Sequence, residues 1–302
     1  MRFGILVGAG CAGVLSLAFA QTEPERQESD PLAAVVEELF EGGIRIDLER
    51  GRCAIDAQVL AGYQPLEYLL VGERGQTHES LLGTAVQASL LNTALLLLGA
   101  EPGQNARWVE LKGDAAADGV DNDGLSGPPA EEQPDPDARP VPKRFAIEPP
   151  EGDGFYLYAA WREGDESYLY RVEDLVANVD EARAMRRHRF VFLGSKMIRP
   201  RADADEEIFA ADLEQNLINV AYFRAGHTLL TTATASAVSE DVWFANHWLV
   251  PGEGQSLRLI FSRTRIPAFQ ATSNAESAPH AAGDQPEPVF QGLPQVTRES
   301  ER

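Results

Sequence analysis

The rhythm of apolar and polar positions changes several times along this chain, and each rhythm predicts an element. Leu32, Val35, Val36, Leu39 and Phe40 recur at helical spacing behind Asp30-Pro31, an N-cap with proline at the first helical position, and Gly42-Gly43 stops the run. Ile44, Ile46 and Leu48 then alternate with Arg45 and Asp47. Cys53, Ile55, Ala57 and Val59 alternate likewise beyond the ERGR turn, so a hairpin is expected, with a third strand over 65–71. Behind Thr84-Ala85-Val86-Gln87, which fits a capping box, come Leu90, Leu91, Ala94, Leu95, Leu97 and Leu98. They cover so much of the circumference that a largely buried helix is expected over 85–98, capped by Gly99 and prevented from resuming by Pro102.

The second half reads as short strands. FYLYAAW, SYLYRV, RFVFLGS, EIFAADL, LINVAYF and LRLIFSR are β-branched or aromatic runs separated by Gly, Asn, Asp and Pro, and the last alternates as a half-buried strand does. DEARAMRRHR has acids at its start and arginines at its end, which suits a helix macrodipole. Residues 113–143 and 265–302 are rich in Pro, Gly, Ala and polar residues and nearly empty of large apolar ones. They cannot bury enough surface to offset the entropy of ordering, so a disordered insertion and a disordered tail are expected.

The amino terminus changes the picture of where the fold begins. A basic Met-Arg-Phe start, an apolar run to Ala20 and the Ala18-Phe19-Ala20 ending make residues 1–20 an export signal cleaved after Ala20, too short to span a bilayer. Lipidation of Cys11 is the alternative, which would anchor the protein to a membrane. Residues 21–30 read as a flexible lead into one domain over 31–264. After cleavage Cys53 is the sole thiol, which leaves no partner for an internal disulfide; its alternating neighbours make it a small buried hydrophobe.

The formal net charge is -21, and residues 113–139 carry eight acids against Arg139 alone. Such acidity argues against nucleic acid as a partner, because phosphate binding needs a positive face. DGVDNDG within that stretch resembles a calcium loop, but Gly119 and Val120 break the alternation of acids and no bidentate Glu follows. No cofactor and no metal site are expected from the spacing of residues: His188, His227 and His247 are scattered, and none is spaced as a ligand with another histidine.

Several motifs together carry a resemblance. PLEYLLV, then G-Q-THESLL, ALLLLGAEPG, FVFLGS and FAADLEQNLINVAY occur in an order similar to that of the YdjY-like family of bacterial proteins, over roughly residues 44–264. The resemblance implies no assigned reaction. This chain departs from it at Gly72, where relatives often carry Cys, and at Gln215-Asn216, near which relatives often carry Gly, so no cysteine-dependent role carries over.

Three groups of residues invite chemistry. His78, Glu79 and Ser80 lie just before the apolar run: His78 as base or metal ligand, Glu79 as its orienting carboxylate and Ser80 as nucleophile would make a hydrolytic or metal-assisted enzyme. They lack the Gly-x-Ser-x-Gly elbow and the His-Glu-x-x-His spacing, and the plainer reading has them hydrogen-bonding a strand-to-helix turn. Arg183, Arg186, Arg187, Arg189, Lys196 and Arg199 form a basic island in an acidic chain, suited to an anionic glycan, phosphate or headgroup, or to local ion pairs. Phe155, Tyr156, Tyr158, Trp161, Tyr168 and Tyr170, with Trp243, Phe244 and Trp248, suit either a sugar-stacking platform or cross-strand packing.

The expectation is therefore an α+β fold, a mainly antiparallel sheet packed against one buried helix, with a disordered insertion and C-terminal tail. The function expected is a non-catalytic extracytoplasmic binding or structural module, whose partner is an anionic glycan or another envelope protein. The alternative is the enzyme built on His78 and Glu79.

Overall fold

Alternation along one strand is the key to the architecture. In the computed structural model, which describes residues 30–60, 62–110, 145–201 and 205–266, helix α1 (Pro31–Glu41) leads into β1 (Ile44–Asp47) and β2 (Arg52–Val59). Cys53, Ile55, Ala57 and Val59 of β2 all point into the core, as their period of two requires. The expected signal segment, the lipidation residue Cys11 and the acidic insertion over 113–143 lie outside the described residues, as does the tail beyond Ile266.

The main sheet continues with β3 (Tyr68–Gly72), β4 (Ser80–Thr84), β5 (Gly154–Glu163), β6 (Glu166–Arg171), β7 (Phe190–Phe192), β8 (Asn216–Asn219), β9 (Leu230–Thr231) and β10 (Ser256–Ser262). Its order is β1-β2-β10-β5-β7-β9-β8-β3-β4, with β6 beside β5. The β3–β4 and β8–β9 pairs are parallel, and the other pairs are antiparallel. β4 then returns to β2, pairing Gly83 with Gln58 and Leu82 with Val59, so eight strands close on themselves. Leu257, Leu259 and Phe261 of β10 and Phe155, Leu157, Ala159 and Trp161 of β5 fill the interior with the β2 residues.

This closure corrects the expected fold. The protein is a mostly β, closed eight-stranded barrel with a few short helices, and not a sheet packed on one buried helix. The leucine-rich segment forms α2 (Ala88–Leu97), but only Ala88, Leu91, Ala94 and Leu95 are buried, while Leu96 is 45% exposed. The barrel supplies its own core from the inward side chains, so the helix packs with one face only, beside α1 and β1. The capping box does not form either: Thr84 ends β4, and its hydroxyl donates to the Asp56 carbonyl. The cap comes instead from Asp212 of the short α3 (Ala210–Glu214), whose carboxylate accepts from Ser89 N at 2.9 Å and Gln87 Nε2 at 3.1 Å.

Other expectations fare differently. Asp30 caps α1 through Leu32 N at 3.0 Å, and Gly99 sits at φ +74 behind α2. DEARAMRRHR is not helical; Ala182 adopts φ +49 in a turn, and residues 183–184 form a short strand. EIFAADL divides into a two-residue strand and α3. β10 is not half-buried: Arg258 and Ile260, on its outer face, are 2% and 1% exposed, because Asp56, Tyr158 and Ile266 cover them. Arg265 and Ile266 belong to this packing and not to a loose tail; Ile266 N donates to the Tyr158 hydroxyl at 2.9 Å.

Candidate functional site

On the outer face of the barrel wall, the β5–β6 pairing sets Tyr158 opposite Arg171. The Arg171 guanidinium lies 5.0 Å from the centre of the Tyr156 ring and 5.3 Å from that of Tyr158. Burying this charge requires a counter-charge, and Glu173, fully buried in the turn after β6, supplies it. Arg171 Nε donates to Glu173 Oε2 at 3.0 Å, and its Nη2 donates to the other carboxylate oxygen and to the His188 carbonyl. Burial raises the Glu173 carboxyl above its ordinary value, and Arg171 opposes the rise. The His188 amide, 3.0 Å from Glu173 Oε1, completes the ring of donors.

His188 in turn is locked as a neutral imidazole. Burial, reinforced by the Arg171 charge, brings its pKa down to about 4. The Arg186 carbonyl, 2.7 Å from Nδ1, can only accept, so Nδ1 carries the proton and Nε2 accepts from Thr232 Oγ1 at 2.9 Å. This fixes the segment 186–190 against the wall and aims Arg187 at Asp174, which takes two parallel bonds of 3.0 and 2.7 Å. Those bonds hold the guanidinium of Arg187 in its charged form even more firmly than usual.

Arg265 completes the site, its guanidinium 5.6 Å from the centre of the Tyr156 ring. The cleft so formed has a volume of about 350 Å³ and is lined by Tyr158, Leu169, Tyr170, Arg171, Asp174, Arg187, Arg265 and Ile266. Arg171 is offset by Glu173 and Arg187 by Asp174, while Arg265 makes no ion pair among the described residues. The local balance is thus positive in an acidic chain. Planar guanidiniums with ring faces beside them are suited to carboxylate, sulfate or phosphate groups on a ring-shaped ligand.

Of the basic island expected from sequence, only Arg187 reaches this cleft. Arg183 and Arg186 pair with Glu181, Arg199 with Glu207 at 3.8 Å, and Lys196 donates to the Ala225 carbonyl at 2.6 Å. Arg189 is exposed beside Asp153. Arg171 and Arg265 were missed because one closes an aromatic strand and the other opens a segment that reads as tail. The available signal was the placement of an arginine directly after the YLY alternation.

His78, Glu79 and Ser80 are brought together but do three different things. Thr77–Glu79 form a 3-10 turn, and Ser80 starts β4 with its buried hydroxyl donating to the Gln76 carbonyl at 2.5 Å. His78 is 67% exposed and its Nε2 lies 2.6 Å from Glu79 Oε1, so it does not tie down the turn. Glu79 also faces Glu67, whose pKa rises to about 7 through burial, the hydrogen bond to Glu79 and the repulsion of that carboxylate. His227 and His247 do not converge on it: His227 Nδ1 lies 2.5 Å from Glu214 Oε1, and His247 packs on Tyr63. Among the described residues no three His, Cys, Asp or Glu side chains are placed to hold a metal ion. Cys53 is buried, and burial pushes its thiol well above the ordinary value.

The aromatic residues divide. Trp161 stacks on Tyr168 and Tyr170 with ring centres 5.3 and 5.4 Å away, a cross-strand stack joined to the core. Phe155 and Trp243 are buried, Phe244 is half-buried, and Trp248 is 95% exposed. Only Tyr158 and Tyr170 line the arginine cleft.

Closed by β4 on β2 and mixed in strand direction, the molecule is defined by its fold as a small β-barrel domain carrying short helices. The chain belongs to the YdjY family: the family's YdjY domain matches residues 44–262, which run from the first residue of β1 to the last of β10. No curated protein and no solved structure matches it. None of the described helices is long and apolar enough to cross a membrane.

Proposed function

We propose that this protein is an exported, non-catalytic binding module that holds an acidic group, such as the carboxylate or sulfate of an anionic glycan, in the Arg171–Arg187–Arg265 cleft. The observation that carries the reading is the convergence of three guanidiniums, two of them paired with a carboxylate among the described residues and Arg265 with none there, on a cleft that also presents Tyr158 and Tyr170. The Glu173–His188 network supports it by holding Arg171 in place without a ligand, so little ordering is left to the moment of binding. Calorimetric titration of the full chain with an oligouronate and with inorganic phosphate tests it. Saturable binding that weakens with salt and falls about tenfold in Arg265→Gln is expected, the loss of one charge-assisted contact. Affinity unchanged in both Arg265→Gln and Arg187→Gln would overturn the reading. Export is tested by amino-terminal sequencing of the mature protein, which should begin at Gln21; a lipidated Cys11 would replace cleavage with anchoring.

One observation favours the alternative, an enzyme using His78 and Glu79. Glu67, in contact with Glu79, exchanges its proton near neutral pH, as a general acid or base must. Hydrolysis of the bound oligouronate that is lost in Glu79→Gln would replace the binding reading with this one.

A further inference from the structure

A second cleft, sharing no residue with the first, lies where β3 and β8 meet the 223–228 loop. It has a volume of about 180 Å³, and its walls include Tyr68, Asn216, Phe223, Glu214 and His227. Tyr68 and Phe223 stack with ring centres 5.2 Å apart and an interplanar angle of 10°. The ring of Tyr68 is largely buried, the residue being 9% exposed, while its hydroxyl makes no hydrogen bond among the described residues and lines the cleft. The charged groups around that hydroxyl are the carboxylates of Glu67, Glu214, Glu79 and Glu240. The basic groups beside them are His227, which contacts Glu214, and Lys196, whose ammonium donates to the Ala225 carbonyl at 2.6 Å, so the four carboxylates outnumber the basic groups.

The polar floor is built and not merely acidic. Asn219 Oδ1 accepts from Thr228 Oγ1 at 2.8 Å and its Nδ2 donates to Thr231 Oγ1 at 3.0 Å, while Asn105 Nδ2 donates to the Phe223 carbonyl at 2.7 Å. Asn216 Oδ1 is held by Gln76 N at 3.0 Å. These bonds set the shape of the cleft; Glu214 Oε1 is taken by His227 Nδ1 at 2.5 Å, which leaves the second oxygen of that carboxylate and the Tyr68 hydroxyl as acceptors for a ligand. Stacked rings with carboxylates at their edge favour positive charge, and the volume admits a group of a few heavy atoms.

We infer that this cleft binds a small organic cation, an alkylammonium or alkylguanidinium group, with the second carboxylate oxygen of Glu214 and the Tyr68 hydroxyl as its acceptors and the Tyr68–Phe223 pair as its apolar wall. The inference does not rest on the arginine cleft, and either site can fail without the other.

The probes are n-butylammonium chloride, butylguanidinium chloride and uncharged 1-butanol, titrated into the full chain and followed by amide chemical shifts of residues 214–228. Saturable shifts with either cation and none with 1-butanol are expected. Glu214→Gln should weaken binding at least about tenfold, and Tyr68→Phe by a few-fold with stacking kept, for the loss of a charged and a neutral hydrogen bond respectively. Both variants are first checked for unchanged unfolding midpoints; should Glu214→Gln fail to fold, Glu214→Asp, with its shorter reach, replaces it. Equal binding of 1-butanol would make the cleft apolar only, and cation binding unaffected by Glu214→Gln or Glu214→Asp would place the cation elsewhere. Either result overturns the inference, as does stronger competition by calcium than by the organic cations.

Discussion

The side chain of Gln215 occupies the space that a side chain at Gly72 would need. A Cβ built on Gly72 would stand 2.9 Å from Gln215 Oε1 and 3.0 Å from its Cβ, closer than packed atoms come. Gln215 reaches this place from a left-handed backbone, φ +56, and its Oε1 accepts from Arg74 N at 2.7 Å. A side chain at position 72 therefore requires Gln215 to give way; Gly72 and the stretch around Gln215-Asn216 are also where the sequence is expected to depart from its relatives.

Gly72→Ala alone is expected to cost about 1–3 kcal/mol of unfolding free energy by overpacking. Gln215→Gly removes both the obstruction and the left-handed strain, so in that background Gly72→Ala should cost less than about half as much. Denaturant unfolding of the four proteins measures the coupling, and additive losses would refute it.

Ser80 and His78 separate in the same assay. Ser80→Ala removes the hydrogen bond that the buried Ser80 hydroxyl gives to the Gln76 carbonyl, which keeps only the Glu79 amide at 3.2 Å, and should cost about 1 kcal/mol. His78→Ala removes only an exposed partner of Glu79 and should shift stability by less than about 0.5 kcal/mol.

His188 makes stability depend on pH in a definite direction. Its pKa falls to about 4 in the folded protein, below the ordinary histidine value of about 6.5, so in this interval the unfolded chain binds the proton first. The stabilisation is present above pH 6.5 and is lost as pH falls through the folded value, by about 3 kcal/mol at most. Unfolding at intervals from pH 7 to 4 should show this slope, flattened in His188→Gln.

Glu67 works in the opposite sense. Its folded pKa of about 7 lies above the ordinary value of about 4.3, so the folded state keeps a proton that the unfolded state has released. Stability from this group is present at low pH and is lost as pH rises through 7. Glu67→Gln should thus be more stable than the parent at pH 8, by about 1 kcal/mol or less given its contact with solvent, and the gain should vanish near pH 4.

Glu173→Gln would leave Arg171 buried against neutral groups. A loss of about 3–5 kcal/mol is expected, with an unfolding slope unchanged from the parent. A loss near zero would mean that solvent reaches the guanidinium and that the cleft is not preorganised.

Local rhythm determined most of the elements. Period-two alternation marked β1, β2 and β10, β-branched and aromatic runs marked β5 and β6, Asp30-Pro31 and Gly42-Gly43 bounded α1, and the neighbours of Cys53 placed it in the core, because each of these depends on residues a few positions apart. What the rhythm does not contain is which strands meet. The pairing of Leu82 and Gly83 with Val59 and Gln58 turns a sheet into a barrel, and that pairing moved the core from the face of a helix to the inside of a ring. The same non-local choice brought Asp212 to cap α2 and assembled Arg171, Arg187 and Arg265 from three separate segments. The basic island was visible as a run of charge, but a run cannot say which of its members lacks an acid nearby. Ion pairs with Glu181, Asp174 and Glu207 are decided by distance in the folded chain, and so is the cleft that the remaining charge leaves open.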